Sequence, residues 1–331
     1  MRPPFLTPPL RSPSLARRAL CVASAASALG LPAGARAQAP SIDIVEVAGA
    51  RLELQFAPGF SVAVRGEARD WAERSALAVA GYFGRFPLAD TELQLLPIDG
   101  AGVKGGTTYG EPSPWVRLRI GRDTTRAQFL ADWIMVHEMV HLAIPRIPRS
   151  QNWLHEGLAT YVEGIARARA GLRPAEQVWR EFAAGMPQGL PKADDRGLDH
   201  TPTWGRTYWG GAIFCLLADV QIRRRSAHRL GLQDALRGLL AGGASYAEQW
   251  SVDRVLATAD AAVGQTTLGE LHALMKDCPA PVDLDALWRD LGVTSDALRD
   301  DAPLAALNRD TLYGGGAQGY TDYPPLALAP A

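Results

Sequence analysis

The chain of 331 residues carries 34 Lys and Arg against 35 Asp and Glu, and 47% of it is hydrophobic. A length of this order holds one large or two modest domains, and a near-neutral balance gives nothing that favours nucleic acid as a partner. Beyond the amino-terminal leader no run approaches the roughly 20 uninterrupted apolar residues that a membrane span needs.

Residues 1–37 contain Arg2, Arg11, Arg17, Arg18 and Arg36 and no acid. An apolar stretch from Ala19 to Leu31, followed by Ala35-Arg36-Ala37, completes the pattern of a secretory signal peptide cut before Gln38. The Arg17-Arg18 pair also admits the twin-arginine export route, while Cys21 stands too early in the apolar region for a lipid anchor. The expected product is exported, periplasmic or extracellular, and net acidic once the leader is removed. Residues 41–56 then place Ile42, Ile44, Val45, Val47, Leu52, Leu54 and Phe56 in strand fashion, Glu67 to Phe83 reads as a helix, and Leu93 to Ile98 and Trp115 to Ile120 read as strands. Between those last two lies Gly105-Gly106-Thr107-Thr108-Tyr109-Gly110. It reads either as a tight glycine turn or as an open backbone that pairs with an extended substrate as an added strand.

Asp123, Thr124 and Thr125 supply helix caps, Leu130, Trp133, Ile134, Val136, Val140 and Leu142 follow as apolar positions, and Pro145 stops the run. This predicts one buried helix carrying His137-Glu138-Met139-Val140-His141. Residues four apart on a helix have Cβ atoms about 5–6 Å apart, so the imidazoles of His137 and His141 can converge on one zinc ion at roughly 2.0–2.1 Å each. Glu138 lies about 100° further round the helix, beside the metal rather than on it, where it can take a proton from a metal-activated water as general base. A third ligand is expected from Trp153-Leu154-His155-Glu156-Gly157-Leu158-Ala159-Thr160-Tyr161-Val162-Glu163, which reads as a second helix. Glu156 is that candidate, and two imidazoles with one carboxylate leave a fourth position open, as catalytic sites require. Two turns on, Glu163 shares the face of Glu156 with Thr160 between them, so its carboxylate can accept the free N–H of a ligand imidazole.

Further helices are expected at 153–169, 174–184, 207–224, 228–241, 245–260, 266–276 and 283–291. Residues 185–206, rich in Gly, Pro, Asp and Arg, read as a long loop able to wall a cleft; His200 within it reads as a surface residue. Cys215 sits in an apolar run and reads as a buried thiol, although the exported compartment permits a disulfide with Cys278. Arg223-Arg224-Arg225 ends a helix and complements its carbonyls. The chain divides into an α/β lobe with the zinc helix at 38–150, a mainly helical lobe with the third ligand at 151–311, and a frayed tail at 312–331. The fold class is α+β, a small mixed sheet packed on the zinc helix and followed by helices.

The ligand block resembles the gluzincin metallopeptidases, and among them the membrane-alanyl-aminopeptidase and glycyl-aminopeptidase-like branch, whose second ligand helix reads W-L-N-E-G-x-A-x-Y-x-E. The resemblance implies a thermolysin-like zincin catalytic domain, one zinc per chain held by His137, His141 and Glu156, and Glu138 as the base. Here the spacer between His141 and Glu156 is shorter than usual, and His155 stands in place of Asn. Tyr208-Trp209-Gly210-Gly211-Ala212 is similar to the Y-x-K-G-A segment of that branch, which makes Tyr208 the candidate hydroxyl for the tetrahedral intermediate, with an ordinary helix-start aromatic as the alternative. The G-x-M-E-N segment that binds a free amino terminus has no counterpart. Gly105, Gly106, Thr107 and Tyr109 stand at its place as the candidate substrate strand, with no acid before Glu111.

These readings imply a secreted zinc-dependent metallopeptidase acting on peptide or protein substrates. The competing expectations are a noncatalytic zinc-containing binding module of the cell envelope and a zinc hydrolase of a non-peptide bond.

Overall fold

Alternate residues on three neighbouring strands, Leu52, Leu54 and Phe56, then Leu93 and Leu95, then Val116, Leu118 and Ile120, are at most 2% exposed. They form the buried face of a five-stranded sheet in the computed structural model, which describes residues 40–294 and 297–313. The expected leader at 1–37 lies outside the described residues, as do residues 314–331 of the tail expected at 312–331; residues 312 and 313 close the helix Ala305–Tyr313 instead. No helix among the described residues is long and apolar enough to cross a membrane.

The strands are β1 (Ser41–Val47), β2 (Ala50–Phe56), β3 (Asp90–Ile98), β4 (Val103–Tyr109) and β5 (Trp115–Gly121), in the order β1-β2-β3-β5-β4. β1 with β2 and β4 with β5 run antiparallel, and β2-β3-β5 run parallel, so the sheet is mixed. Helix α1 (Val62–Phe83), capped where Ser61 Oγ accepts from Val64 N–H at 3.2 Å, packs against β1. The glycine segment is therefore strand and not turn: β4 is the outer strand, paired through Thr107 with Arg117 and Tyr109 with Trp115. It leaves one edge of its backbone free of sheet partners, as an end position must.

The expected single helix before Pro145 is two helices. α2 (Arg126–Ala131) opens with a capping box, in which Thr125 and Gln128 exchange side-chain and backbone bonds. Asp132 then turns extended, with φ −69° and ψ 145°, and its Oδ1 accepts from Ile134 N–H at 2.8 Å. A short carboxylate that competes for nearby backbone donors ends one helix and starts the next. α3 (Ile134–His141) is so deeply placed that every residue from Met135 to His141 is buried; it touches α1, β4 and β5.

The helical part comprises α4 (Asn152–Arg169), α5 (Ala175–Gly185), α6 (Gly211–Arg225), α7 (Leu232–Ala241), α8 (Val252–Val263), α9 (Thr267–Met275), α10 (Leu284–Leu291) and α11 (Ala305–Tyr313). α4 is the axis, packing on α1, α3, α5, α6 and α11. The helix expected at 228–241 begins only at Leu232, and two other expectations shift. Residues 245–250 are loop, not helix, because Arg146 pairs with them through its backbone: its N–H donates to Glu248 O and its carbonyl accepts from Trp250 N–H, at 2.8 and 3.0 Å. Arg223 does not merely decorate a helix end; it is buried and paired with Asp219 at 2.9 Å, and Asp219 also accepts from Tyr161 Oη and Leu232 N–H. Removing one partner of such a buried pair costs about 3–5 kcal/mol. Cys215 is buried, Cys278 exposed, and neither is bridged.

Candidate metal centre

α3 and α4 bring three donors to one point. His137 Nε2 lies 3.2 Å and His141 Nε2 3.7 Å from Glu156 Oε2, and the candidate ligand atoms all fall within 4.8 Å of one another. Ligands held tetrahedrally at roughly 2.0–2.1 Å stand about 3.3 Å apart, so the spacing of this set fits zinc. The other carboxylate oxygen, Glu156 Oε1, accepts from Asn152 Nδ2 at 3.4 Å, which turns Oε2 toward the imidazoles. Burial alone would raise the Glu156 carboxyl, but the hydrogen bond from His137, with both imidazoles beside it, holds it down at about 2. Burial, then the neighbouring His137, holds His141 well below the ordinary imidazole range. A deprotonated acid and a neutral imidazole are the forms a metal needs.

Glu156 reaches this point because two helices touch backbone to backbone one residue away. A Cβ added at Gly157 would lie 2.3 Å from Gly211 Cα, at the start of α6. The same crossing delivers Tyr208, which sits on a π-turn (Arg206–Gly210) closed by Gly211 N–H donating to Arg206 O. Its ring stacks 6.3 Å from that of His137, and its hydroxyl stays protonated, pushed up to about 12 by burial and by the charge and hydrogen bond of Glu156. Trp133 and Trp204, 46% and 61% exposed, extend this row of rings on either side through contacts with His137 and Tyr208.

Glu138 is buried beside the ligands, on the side of β4. Thr108 Oγ1 lies 2.7 Å from Glu138 Oε2 and 2.9 Å from its carbonyl oxygen. Burial raises the carboxyl above its ordinary value, against the opposing pull of His137 and Thr108. The strand leaves room for this carboxylate only at a residue without a side chain: a Cβ on Gly106 would come 2.5 Å from Glu138 Cγ and 2.8 Å from Oε1. Thr107 and Tyr109 alternate with Thr108 and project from the opposite face, where Tyr109 stacks on Trp115 at 4.2 Å. Gly105 stands at an irregularity in the pairing with β5.

The remaining expected neighbours are less directly engaged. Glu163 feels the charge of His137, but its Oε2 pairs with Arg167 at 3.3 Å, whose Nη2 donates to Ala131 O. Burial raises its carboxyl to about 7. His137 Nδ1 is buried and has no hydrogen-bond partner among the described residues, so Glu163 does not bond it here. Thr160 is half-buried between the two glutamates on α4. His200 pairs at the surface with Asp277, 2.9 Å away. Three residues at the centre escaped the sequence reading. Thr108 was within reach of it, since strand alternation sets it opposite Thr107 and Tyr109. Tyr246, whose ring lies 6.5 Å from His141, sits in the segment misread as helix and left no signal. His155 registered only as a departure from Asn; it is buried against His141.

No protein-family model and no curated protein matches the sequence. Among solved structures, the chain is similar to an aminopeptidase N family protein from Idiomarina loihiensis, at 12% identity and TM-score 0.47 over 79% of this chain and 48% of that one. It is also similar to a two-domain M1 zinc metallopeptidase bound to L-tryptophan, at 12% identity and TM-score 0.47, covering 73% of this chain and 52% of the other. An M1 zinc metallopeptidase variant from Deinococcus radiodurans bound to a Tyr-Ser-Ala substrate gives 15% identity and TM-score 0.46, covering 73% and 53%. The chain thus spans about half the length of the structures it matches.

Proposed function

We propose that this chain is an exported, zinc-dependent metallopeptidase with a thermolysin-like zincin catalytic domain. The observation that carries the reading is the convergence of His137, His141 and Glu156 from two helices, with ligand atoms within 4.8 Å and the Glu138 carboxylate buried beside them. Zinc held there would supply Lewis acidity, polarising the scissile carbonyl and lowering the pKa of a water toward about 7.

The protein groups divide the remaining work. Glu138 accepts the proton of the attacking water and returns it to the departing nitrogen; a carboxylate raised by burial is the better base for this. Tyr208, held protonated, donates a hydrogen bond to the carbonyl oxygen as negative charge gathers on it. The outer edge of β4, the strand of Gly105, Gly106, Thr107 and Tyr109, offers the backbone groups of alternate residues to an extended peptide. β4 carries no acid for a free amino terminus, and Glu111 beyond it is paired with Arg146 at 2.8 Å. The substrate of this reading is an extended chain that is not counted from its amino terminus.

Glu138→Gln tests the reading. The variant should keep zinc, keep its fold and lose cleavage of a mixed peptide pool, while the wild type cleaves free and N-acetylated peptides alike. Wild-type turnover by the variant would refute the role of Glu138. Stoichiometric zinc in a wild type that cleaves no peptide would turn the account toward a binding module.

A further inference from the structure

The α4 turn that provides Glu156 also carries a third buried imidazole outside the ligand set. His155 is 5% exposed, with Nε2 2.6 Å from the carbonyl oxygen of Pro145 and Nδ1 3.3 Å from Nδ1 of His141. A carbonyl can only accept, so His155 Nε2 carries a hydrogen. Two ring nitrogens at hydrogen-bond distance need one donor and one acceptor. With its hydrogen on Nε2, the neutral His155 ring presents a lone pair at Nδ1, so the donor is Nδ1–H of His141. The lone pair of His141 is then on Nε2, the atom 3.7 Å from Glu156 Oε2.

We infer that His155 is a positioning residue that holds the metal ligand His141 in its Nδ1–H tautomer, through a relay anchored on the Pro145 carbonyl. The relay ties the last residue of α3, the turn that follows it and the first turns of α4. One short stretch of α4 therefore supplies both a ligand and the support of a second ligand on another helix. Tyr246 packs edge-on against His155 with ring centroids 5.5 Å apart, closing that side. The two imidazole ligands are thereby unequal: His141 has a fixed partner behind it, while Nδ1 of His137 has none among the described residues. A partner of this kind fixes ring orientation and raises ligand basicity, and losing it weakens metal binding about 10–100-fold.

The inference rests on the zinc reading above, and its test separates the two. Zinc is titrated against a competing chromophoric chelator into wild type, His155→Ala and His155→Asn, with folding followed by circular dichroism. His155→Ala should bind zinc about 10–100-fold more weakly. His155→Asn, whose amide oxygen can still accept from His141, should recover most of that loss. In metal-free wild type, nitrogen NMR of the imidazoles should show His141 protonated on Nδ1. Zinc affinity unchanged in folded His155→Ala, or His141 protonated on Nε2, overturns the relay. If His155→Ala does not fold, the Asn variant and the tautomer decide. A wild type that takes up no zinc refutes the metal reading, while the tautomer still decides the hydrogen-bond assignment.

Discussion

Gly106→Ala is the most informative single substitution, because it adds one methyl group to the edge strand and aims it at the proposed base. The added Cβ would lie 2.5 Å from Glu138 Cγ, 2.9 Å from Cδ and 2.8 Å from Oε1. Carbon atoms settle at about 3.5–4.0 Å, so either Glu138 or β4 must give way by roughly 1 Å or more. Glu138 is held by Thr108 and by the buried helix α3, and β4 by its pairing with β5, so neither moves freely. Overpacking of this kind costs about 1–3 kcal/mol of stability. A displacement of about 1 Å at a reacting group costs on the order of 10²-fold in rate. The assay is kcat on a fluorogenic peptide beside zinc content and denaturant unfolding. The variant should stay folded, bind zinc and lose about two orders of magnitude in kcat. In a Glu138→Gln background the same alanine should cost almost nothing more, since the two changes strike one group. Gly106→Ala with kcat within twofold of wild type would refute the placement of Glu138 as the base.

Tyr208→Phe should keep its zinc and its stability but lower kcat by about 10²–10³-fold with little change in KM; an unchanged kcat would return Tyr208 to an ordinary helix-start aromatic. Asp132 supplies a pH-dependent prediction. Burial, opposed by the backbone N–H groups of Ile134 and Met135, raises its carboxyl from 3.8 to about 6. The folded chain then holds this proton more tightly than the unfolded one, so stability falls as pH rises from about 4 to about 6 and the loss is complete above. Asp132→Asn removes the charge and keeps an oxygen to cap Ile134 N–H. It should gain on wild type by at most about 3 kcal/mol between pH 4 and pH 7 in denaturant unfolding. An equal difference at both pH values would contradict the buried-carboxyl account.

The centre was legible in the sequence to the extent that its geometry is local. His137, Glu138 and His141 share one helix, so their spacing alone sets their relation, and Glu156 follows from a second local pattern. What escaped depends on contacts between distant segments. The break at Asp132 turns on one side chain preferring the N–H two residues ahead. The start of α8 moved because Arg146, about a hundred residues earlier, claims the backbone of 245–250. Gly106 looked like an open backbone position, and its tighter constraint appears only once Glu138 is packed beneath it. His155 had no chemistry by spacing, because its partners are a ring on α3 and a carbonyl in the turn after it. Helical period sets Glu163 two turns beyond Glu156 on α4, but Arg167, one turn on, pairs with its carboxylate.

Anomalous diffraction at the zinc edge, from crystals of the chain purified without chelator, addresses the metal centre most directly. The account predicts one strong peak per chain, bonded by His137 Nε2, His141 Nε2 and a Glu156 oxygen, with the Glu138 carboxylate beside it and unbonded. Zinc-replete crystals with no peak at that point, or with zinc held by other residues, would contradict it.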